Sequence, residues 1–184
     1  MECYLDIQLL PDPEFNEQTL LNALFAKFHR AMNKVAQGQV AVSFPDVKNK
    51  RLGGKLRLHG RAEPLNTLMA ENWLQGMKDY CSFSDIKEAP TGCKYRVVKR
   101  VQVKSAHNKR KRSIAKGWLT EIEAIKQIPE NPLATDKLPY LEVKSLSNSN
   151  RMRVYVEHGS LMDQPLQGKL NSYGLSAEAT IPWF

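Results

Sequence analysis

The sequence predicts an α+β fold in two parts, a ferredoxin-like N-terminal domain over about residues 1–88 and a less regular C-terminal part over 93–184. Three observations predict it. Apolar residues over the first part recur alternately at two-residue and at helical spacing, in the order β-α-β-β-α-β. Ala89-Pro90-Thr91-Gly92 has the composition of a linker. Beyond it the charge changes abruptly, with no acidic residue between Glu88 and Glu121.

Tyr4-Leu5-Asp6-Ile7-Gln8-Leu9 alternates as a half-buried strand does, and Pro11 and Pro13 stop it. Asn16 is placed to cap a helix whose Leu20, Leu21, Leu24, Phe25, Phe28, Met32 and Val35 share one face as far as Gly38. Val40 to Phe44 reads as a short strand ended by Pro45, Gly53-Gly54 as a hairpin turn, and Lys55 to His59 as the next strand. Pro64 to Met77 carries Leu65, Leu68, Met69, Trp73 and Leu74 at helical spacing, and Tyr80 to Ile86 closes the pattern as a strand. This order is the ferredoxin-like one, which RNA-recognition domains also use.

In the second part, the valines of Lys94 to Lys104 favour a strand. Ser105-Ala106-His107-Asn108 offers capping side chains to a basic helix over about 108–117, with Lys109, Arg112 and Lys116 on one face and Arg110 near it. Thr120 and Glu123 have the spacing of a capping box for a helix that Pro129 stops. Leu141 to Lys144, Met152 to Val156 and Leu170 to Tyr173 read as strands, and the apolar ending Ile181-Pro182-Trp183-Phe184 as a docked segment.

Ten Lys or Arg lie between Glu88 and Glu121, so that stretch carries +10 while the whole 184-residue chain is +8 and the remainder sums to −2. A block of this kind suits a polyanion such as nucleic acid better than it suits general solubility. Like charges at three- and four-residue spacing weaken an isolated helix, a cost that phosphates would offset. A solvated basic face or an acidic protein partner would give the same charge pattern. Cys3, Cys81 and Cys93 are odd in number and without paired spacing, which speaks against structural zinc and for a reducing, cytoplasmic compartment. No run is long enough to span a membrane, and the first residues lack the basic start of a signal peptide.

No nucleophile elbow, phosphate-cradling glycine loop, His-Glu metal motif or suitably placed carboxylate pair occurs. Four histidines remain. His29 follows Phe25 by four residues and precedes Met32 by three, on the border of the first helix's apolar stripe. An imidazole there is half-buried, with a tuned pKa and access to a ligand, or it is an edge-of-core residue. His59, His107 and His158 have weaker claims. Ser145, Ser147 and Ser149 read as a solvated hairpin, and Tyr173 as a core aromatic beside a turn.

Taken in order, several short stretches resemble the type I-F CRISPR repeat-processing endoribonuclease family over nearly the whole chain. They are Tyr4-Leu5-Asp6-Ile7 with Pro11-Asp12-Pro13-Glu14-Phe15, Leu24-Phe25 with His29, Val42-Ser43-Phe44-Pro45-Asp46, Arg100-Val101-Gln102, and Lys104-Ser105 before the basic helix. Lys144-Ser145, His158-Gly159, Tyr173-Gly174-Leu175-Ser176 and Pro182-Trp183-Phe184 complete the series. The resemblance implies that His29 is a general base for an RNA 2′-hydroxyl, that Ser145 positions the ribose and that Tyr173 orients the histidine. It implies that Arg100 and Gln102 read bases at the foot of a stem. It also implies that Lys104, Lys109, Arg110, Lys111, Arg112, Lys116, Ser147 and Met152 grip the RNA. The chain departs from the family where Ser113, Ala115 and Gly117 interrupt the arginine-rich helix, which Gly117 shortens, and where Met152 replaces a stacking aromatic.

On this resemblance the expected activity is cleavage of precursor RNA 3′ of a repeat stem-loop, without metal or cofactor, leaving a 2′,3′-cyclic phosphate (or 3′-phosphate) and a 5′-hydroxyl. The attacking oxygen belongs to the RNA, so the protein must supply a base and in-line positioning. The expected partners are the repeat hairpin, the retained guide RNA and the other subunits of the interference complex, with the free protein a monomer in the cytoplasm. A non-catalytic hairpin-binding subunit would use every one of the same basic residues.

Overall fold

A computed structural model describes residues 1–102, 106–129, 137–144 and 150–184. Its first sheet contains β1 (Cys3–Leu9), β2 (Ala41–Ser43), β3 (Lys55–Gly60) and β4 (Cys81–Phe83) in the order β2-β3-β1-β4, all pairs antiparallel. The two-residue β5 (Lys87–Glu88) also pairs with β1. Leu5, Ile7 and Leu9 of β1 are buried and alternate with half-exposed Tyr4, Asp6 and Gln8, as one covered face requires. The helices are α1 (Glu17–Val35), which follows β1, and α2 (Ala62–Ala70), which follows β3.

Helix α1 begins where Thr19 N–H donates to the Asn16 side chain at 2.9 Å. It buries Leu20, Leu21, Leu24, Phe25, Phe28, Ala31 and Met32 on one face. Helix α2 is shorter than the apolar spacing through Met77 predicts. Asn72 and Gly76, the latter at φ +73°, favour turns, and Trp73, Leu74 and Met77 reach the core from turns instead.

The second sheet has the antiparallel order β7-β8-β6-β9, built from β6 (Lys94–Val101), β7 (Tyr140–Lys144), β8 (Arg151–His158) and β9 (Thr180–Trp183). Pro182 is tolerated because β9 lies at the sheet's edge. The basic helix α3 (Ala106–Ala115) starts and ends two residues earlier than the sequence predicts. Gly117 terminates it at φ +69°, with Gly117 N–H donating to the Ile114 carbonyl and Trp118 N–H to the Ser113 carbonyl, a Schellman cap. Helix α4 (Glu121–Gln127) has the reciprocal Thr120–Glu123 capping box that its sequence announces.

Buried residues of both sheets form one apolar cluster, with Leu5, Ile7, Leu56 and Leu58 from the first and Val98, Leu141, Val154, Val156 and Ile181 from the second. Helix α1 touches both, since Glu142 N–H donates to Asn22 Oδ1 at 2.9 Å and Gln18 Nε2 to the Tyr140 carbonyl at 3.1 Å. Arg57 of β3 joins them again. It is 6% exposed, makes two hydrogen bonds to Asp6 at 2.6 and 2.9 Å, and donates to the Phe184 carbonyl at 2.9 Å. Its guanidinium carbon lies 3.9 Å from the centre of the Phe184 ring.

Residues Leu170 to Tyr173 are not the strand their sequence suggests. Asn171 Oδ1 accepts from the Tyr173 and Leu175 amides at 2.8 and 3.2 Å, folding the segment into a turn. The turn is anchored on both sheets, by Val42 N–H donating to the Gly174 carbonyl at 2.9 Å and Ser176 N–H to the Val98 carbonyl at 3.0 Å. Gly174 has φ +70°, and a Cβ there would lie 3.0 Å from the Val40 carbonyl oxygen and 3.4 Å from the Phe28 ring. Gly174→Ala should therefore destabilise the fold by about 1–2 kcal/mol from the left-handed backbone alone, with the close contact adding to it. Urea unfolding will read the loss.

Candidate functional site

The turn after Leu170 carries Tyr173 to the border of α1's apolar stripe, where half-buried His29 stands. The tyrosine and imidazole rings are parallel within 2°, with centroids 4.6 Å apart. Phe25, one helical turn before His29 and fully buried, holds a ring parallel to the imidazole at 6.4 Å. Arg100, near the end of β6, places its guanidinium carbon 4.5 Å from the centre of the Tyr173 ring. With its amide oxygen turned toward Arg100, Gln102 accepts from both terminal guanidinium nitrogens at 3.2 Å. Arg100 Nε is buried and has no partner among the described residues. A cleft of about 260 Å³ opens between Arg100, Gln102, Asn171, Ser172 and Tyr173.

The protonation of His29 follows from its neighbours. Its Nδ1 lies 2.7 Å from the Ser172 carbonyl oxygen, which can only accept, so the proton of the neutral ring sits on Nδ1. Nε2 then carries the lone pair, and it has no hydrogen-bond partner among the described residues. Burial pushes the pKa of His29 below its ordinary 6.5. The bond to the Ser172 carbonyl opposes that shift, while the positive charges of Arg30 and Arg100 add to it. At neutral pH the site therefore holds a half-buried neutral imidazole with its basic nitrogen unoccupied.

The other histidines are arranged differently. His59 is wholly buried in β3 with Nε2 2.8 Å from Ser43 Oγ, and burial pushes its pKa down to about 3. His158 meets Trp183 edge to face, and its pKa is pushed down to about 4 by burial and the Arg96 charge. His107 is exposed on α3. Among the described residues no group of three or more His, Cys, Asp or Glu is arranged to hold a metal ion, and no helix is long and apolar enough to cross a membrane.

Apart from Arg100, the described basic residues of the block divide into two sets. Lys94 pairs with Asp163, Lys99 with Glu157 at 2.9 Å, and Arg96 donates to the Gly159 carbonyl from Nε and a terminal nitrogen at 3.0 and 2.6 Å. These three serve the second sheet, and their partners are remote in sequence. On α3 and just beyond it, Lys109, Lys111, Arg112 and Lys116 are exposed. Arg110 is half-buried, its Nε donating to the Ile128 carbonyl at 2.8 Å and so tying α3 to α4. Met152 is half-buried on β8 opposite Val143 and packs against the core. Lys104, Ser145 and Ser147 lie outside the described residues.

Of the residues singled out in the sequence, the structure thus brings His29, Tyr173, Arg100 and Gln102 together. Two others belong beside them. Asn171 shapes the turn that carries Tyr173, and its place three residues before Gly174 is the sequence signal for it. Asn33 lies one helical turn after His29, and its side-chain nitrogen is 2.9 Å from both His29 Nδ1 and the Ser172 carbonyl oxygen. Four-residue spacing from a candidate base was the signal there.

Relatives of known description share this whole chain. A CRISPR-associated endonuclease Cas6/Csy4 from Escherichia coli (strain UTI89 / UPEC) is 47% identical over 185 residues, covering 100% of each protein. A CRISPR-associated endonuclease Cas6/Csy4 from Pseudomonas aeruginosa (strain UCBPP-PA14) is 40% identical over 189 residues, again covering 100% of each. A solved structure described as an RAMP protein binding different RNA substrates is a distant neighbour, at 14% identity and a TM-score of 0.37 over 98% of this chain and 99% of that one. The family model for CRISPR-associated protein (Cas_Csy4) matches residues 4–184. The chain, with its parallel His29–Tyr173 pair, belongs to the Cas_Csy4 family.

Proposed function

We propose that this protein is a metal-independent endoribonuclease that cuts CRISPR precursor RNA 3′ of a repeat stem-loop and retains the guide RNA it makes. The observation that carries the reading is the 2.7 Å approach of His29 Nδ1 to the Ser172 carbonyl oxygen. With Nδ1–H committed to the Ser172 carbonyl, Nε2 is free to accept a proton. Membership of a family whose relatives are named endonucleases supports a chemical rather than a merely binding role. In this reading residues 1–88 form the ferredoxin-like domain and residues from 93 the RNA-binding part.

The reaction uses an oxygen of the RNA itself. His29 Nε2 takes the proton of the 2′-hydroxyl at the cut site, and the 2′-oxygen attacks the adjacent phosphorus. The bond from phosphorus to the 5′-oxygen breaks, and that oxygen takes up a proton. The products are a 2′,3′-cyclic phosphate and a 5′-hydroxyl. Tyr173 fixes the imidazole plane by stacking, which confines the base to one direction of approach. Ser145 positions the ribose. Arg100, already oriented by Gln102, reads a guanine at the base of the stem, and the exposed cations of α3, with Lys104 and Ser147, grip phosphates in the hairpin's groove. Met152 lies near the closing base pair. The monomeric protein would act in the cytoplasm and then join the other subunits of an interference complex through the retained RNA.

Three outcomes test this. His29→Ala should slow single-turnover cleavage in EDTA by about 10²–10⁴-fold while leaving hairpin affinity nearly unchanged. Cleavage by the mutant at the wild-type rate would return His29 to a packing role. A hairpin with one 2′-deoxy nucleotide 5′ of the scissile phosphate should bind within about 0.5–1.5 kcal/mol of all-RNA and remain uncut, with or without magnesium. Continued cutting would mean that water, not the RNA, is the nucleophile. Because the pKa of His29 is lowered, the cleavage rate should rise with pH through a midpoint below 6.5 and be flat above it. A midpoint above 6.5 would show a different base or a charged ring.

A further inference from the structure

We propose that Asn33 is a positioning residue of this site, holding the Ser172 carbonyl against the His29 ring so that Nε2, and not Nδ1, is left unprotonated. The inference rests on His29 being the base. Its geometric ground is a triangle of polar atoms. Asn33 Nδ2 is 2.9 Å from the Ser172 carbonyl oxygen and 2.9 Å from His29 Nδ1, and His29 Nδ1 is 2.7 Å from that same oxygen. Asn33 Nδ2 also donates to the His29 backbone carbonyl at 2.7 Å.

With the proton on Nδ1, three of the four contacts are hydrogen bonds and the fourth, Asn33 Nδ2 to His29 Nδ1, is an approach of two donors that share the Ser172 oxygen. The Asn33 nitrogen faces two carbonyl oxygens, both of which its own amide oxygen would oppose as a third acceptor. Both its hydrogens are therefore used, one on the His29 carbonyl and one on the Ser172 carbonyl. The Ser172 oxygen accepts a second hydrogen bond, from His29 Nδ1–H. Were the imidazole in its other tautomer, a lone pair on Nδ1 would point at a carbonyl oxygen 2.7 Å away. The amide thus anchors the one acceptor that fixes the ring, and it does so from the helix that carries His29. The turn holding Ser172 is docked on α1 by the same bond.

The carboxamide also sets what charge the ring tolerates. It shares the oxygen that would stabilise an imidazolium, and it places an N–H beside Nδ1. Arg30 on α1 and Arg100 on β6 act in the same direction, and Tyr173 covers one ring face. No carboxylate among the described residues bonds to His29. An aspartate at position 33 would put an acceptor beside Nδ1–H and reverse the balance.

The test follows the imidazole nitrogens directly. Nitrogen-15 spectra of the free protein, with His29 assigned from its loss in His29→Ala, report tautomer and titration midpoint without any reaction. The wild type should show the Nδ1–H tautomer, and Asn33→Ala a mixture with Nε2–H. Asn33→Asp should raise the midpoint by about one unit or more, with the acid limb of the cleavage profile moving equally. Single-turnover cleavage by Asn33→Ala should fall roughly tenfold, with affinity for the 2′-deoxy hairpin unchanged. Alanine is the better helix former, so α1 should persist, and Asn33→Asp, close in shape, carries the test if Asn33→Ala does not fold. Wild-type tautomer and midpoint in the variants would overturn the inference even where His29→Ala abolishes cleavage. Shifted spectra with cleavage indifferent to both Asn33→Ala and His29→Ala would instead overturn the general-base reading and leave Asn33 as the residue that sets the ring.

Discussion

The close approach of Gly174 to the first sheet is the constraint on which the site depends. Its carbonyl accepts from Val42 N–H, and a Cβ on its α-carbon would crowd the Val40 carbonyl oxygen at 3.0 Å. Only a residue without a Cβ takes this position and φ +70° without strain. Because Gly174 sits so near α1 and β2, Ser172 and Tyr173 immediately before it meet His29. Ser176, two residues on, fastens the segment to β6, the strand that also delivers Arg100. One short turn therefore sets the ring, its acceptor and the arginine in mutual register.

Burial explains the chemistry that this register permits. A fully exposed imidazole would titrate near 6.5 and turn freely, whereas a fully buried one such as His59 is neutral but unreachable. His29 lies between these extremes, at the border of the apolar stripe of α1. It is shielded enough to be neutral, bonded on one nitrogen and open on the other. Cleavage by a 2′-hydroxyl asks little more of a protein than such a base and a held substrate. Arg100 adds charge at the same place, so an incoming phosphate backbone would meet a cation beside the neutral imidazole.

The density of positive charge is shared between fold and surface. Lys94, Arg96 and Lys99 tie β6 to β8 and the segment after it, and Arg110 braces α3 against α4. Among the described residues of the block, Lys109, Lys111, Arg112 and Lys116 are exposed to solvent. Substituting the first group should disturb the second sheet as well as any ligand, so only the second group isolates electrostatic binding.

The sequence by itself determined the local elements that depend on short-range chemistry. The alternation of β1, the Asn16 cap and apolar face of α1, the Thr120–Glu123 box and the Gly117 stop of α3 are each written within a few residues and are found where they were read. The family was legible as well, because its motifs recur in fixed order along the whole chain. Tertiary structure alone decided what distant segments do to one another. Apolar spacing at Trp73 to Met77 recorded burial but not the turns that achieve it, since core and helix ask for the same residues there. Leu170 to Tyr173 looked like a strand until Asn171 closed a turn around it, and the ending read only as a docked segment, Thr180–Trp183, is an edge strand. The partners of Lys94 and Lys99, Asp163 and Glu157, come from far along the chain. His29 meets Ser172 across 143 positions, which no local pattern encodes. Its tautomer, and the place of Asn33 beside it, exist only once the chain has closed on itself.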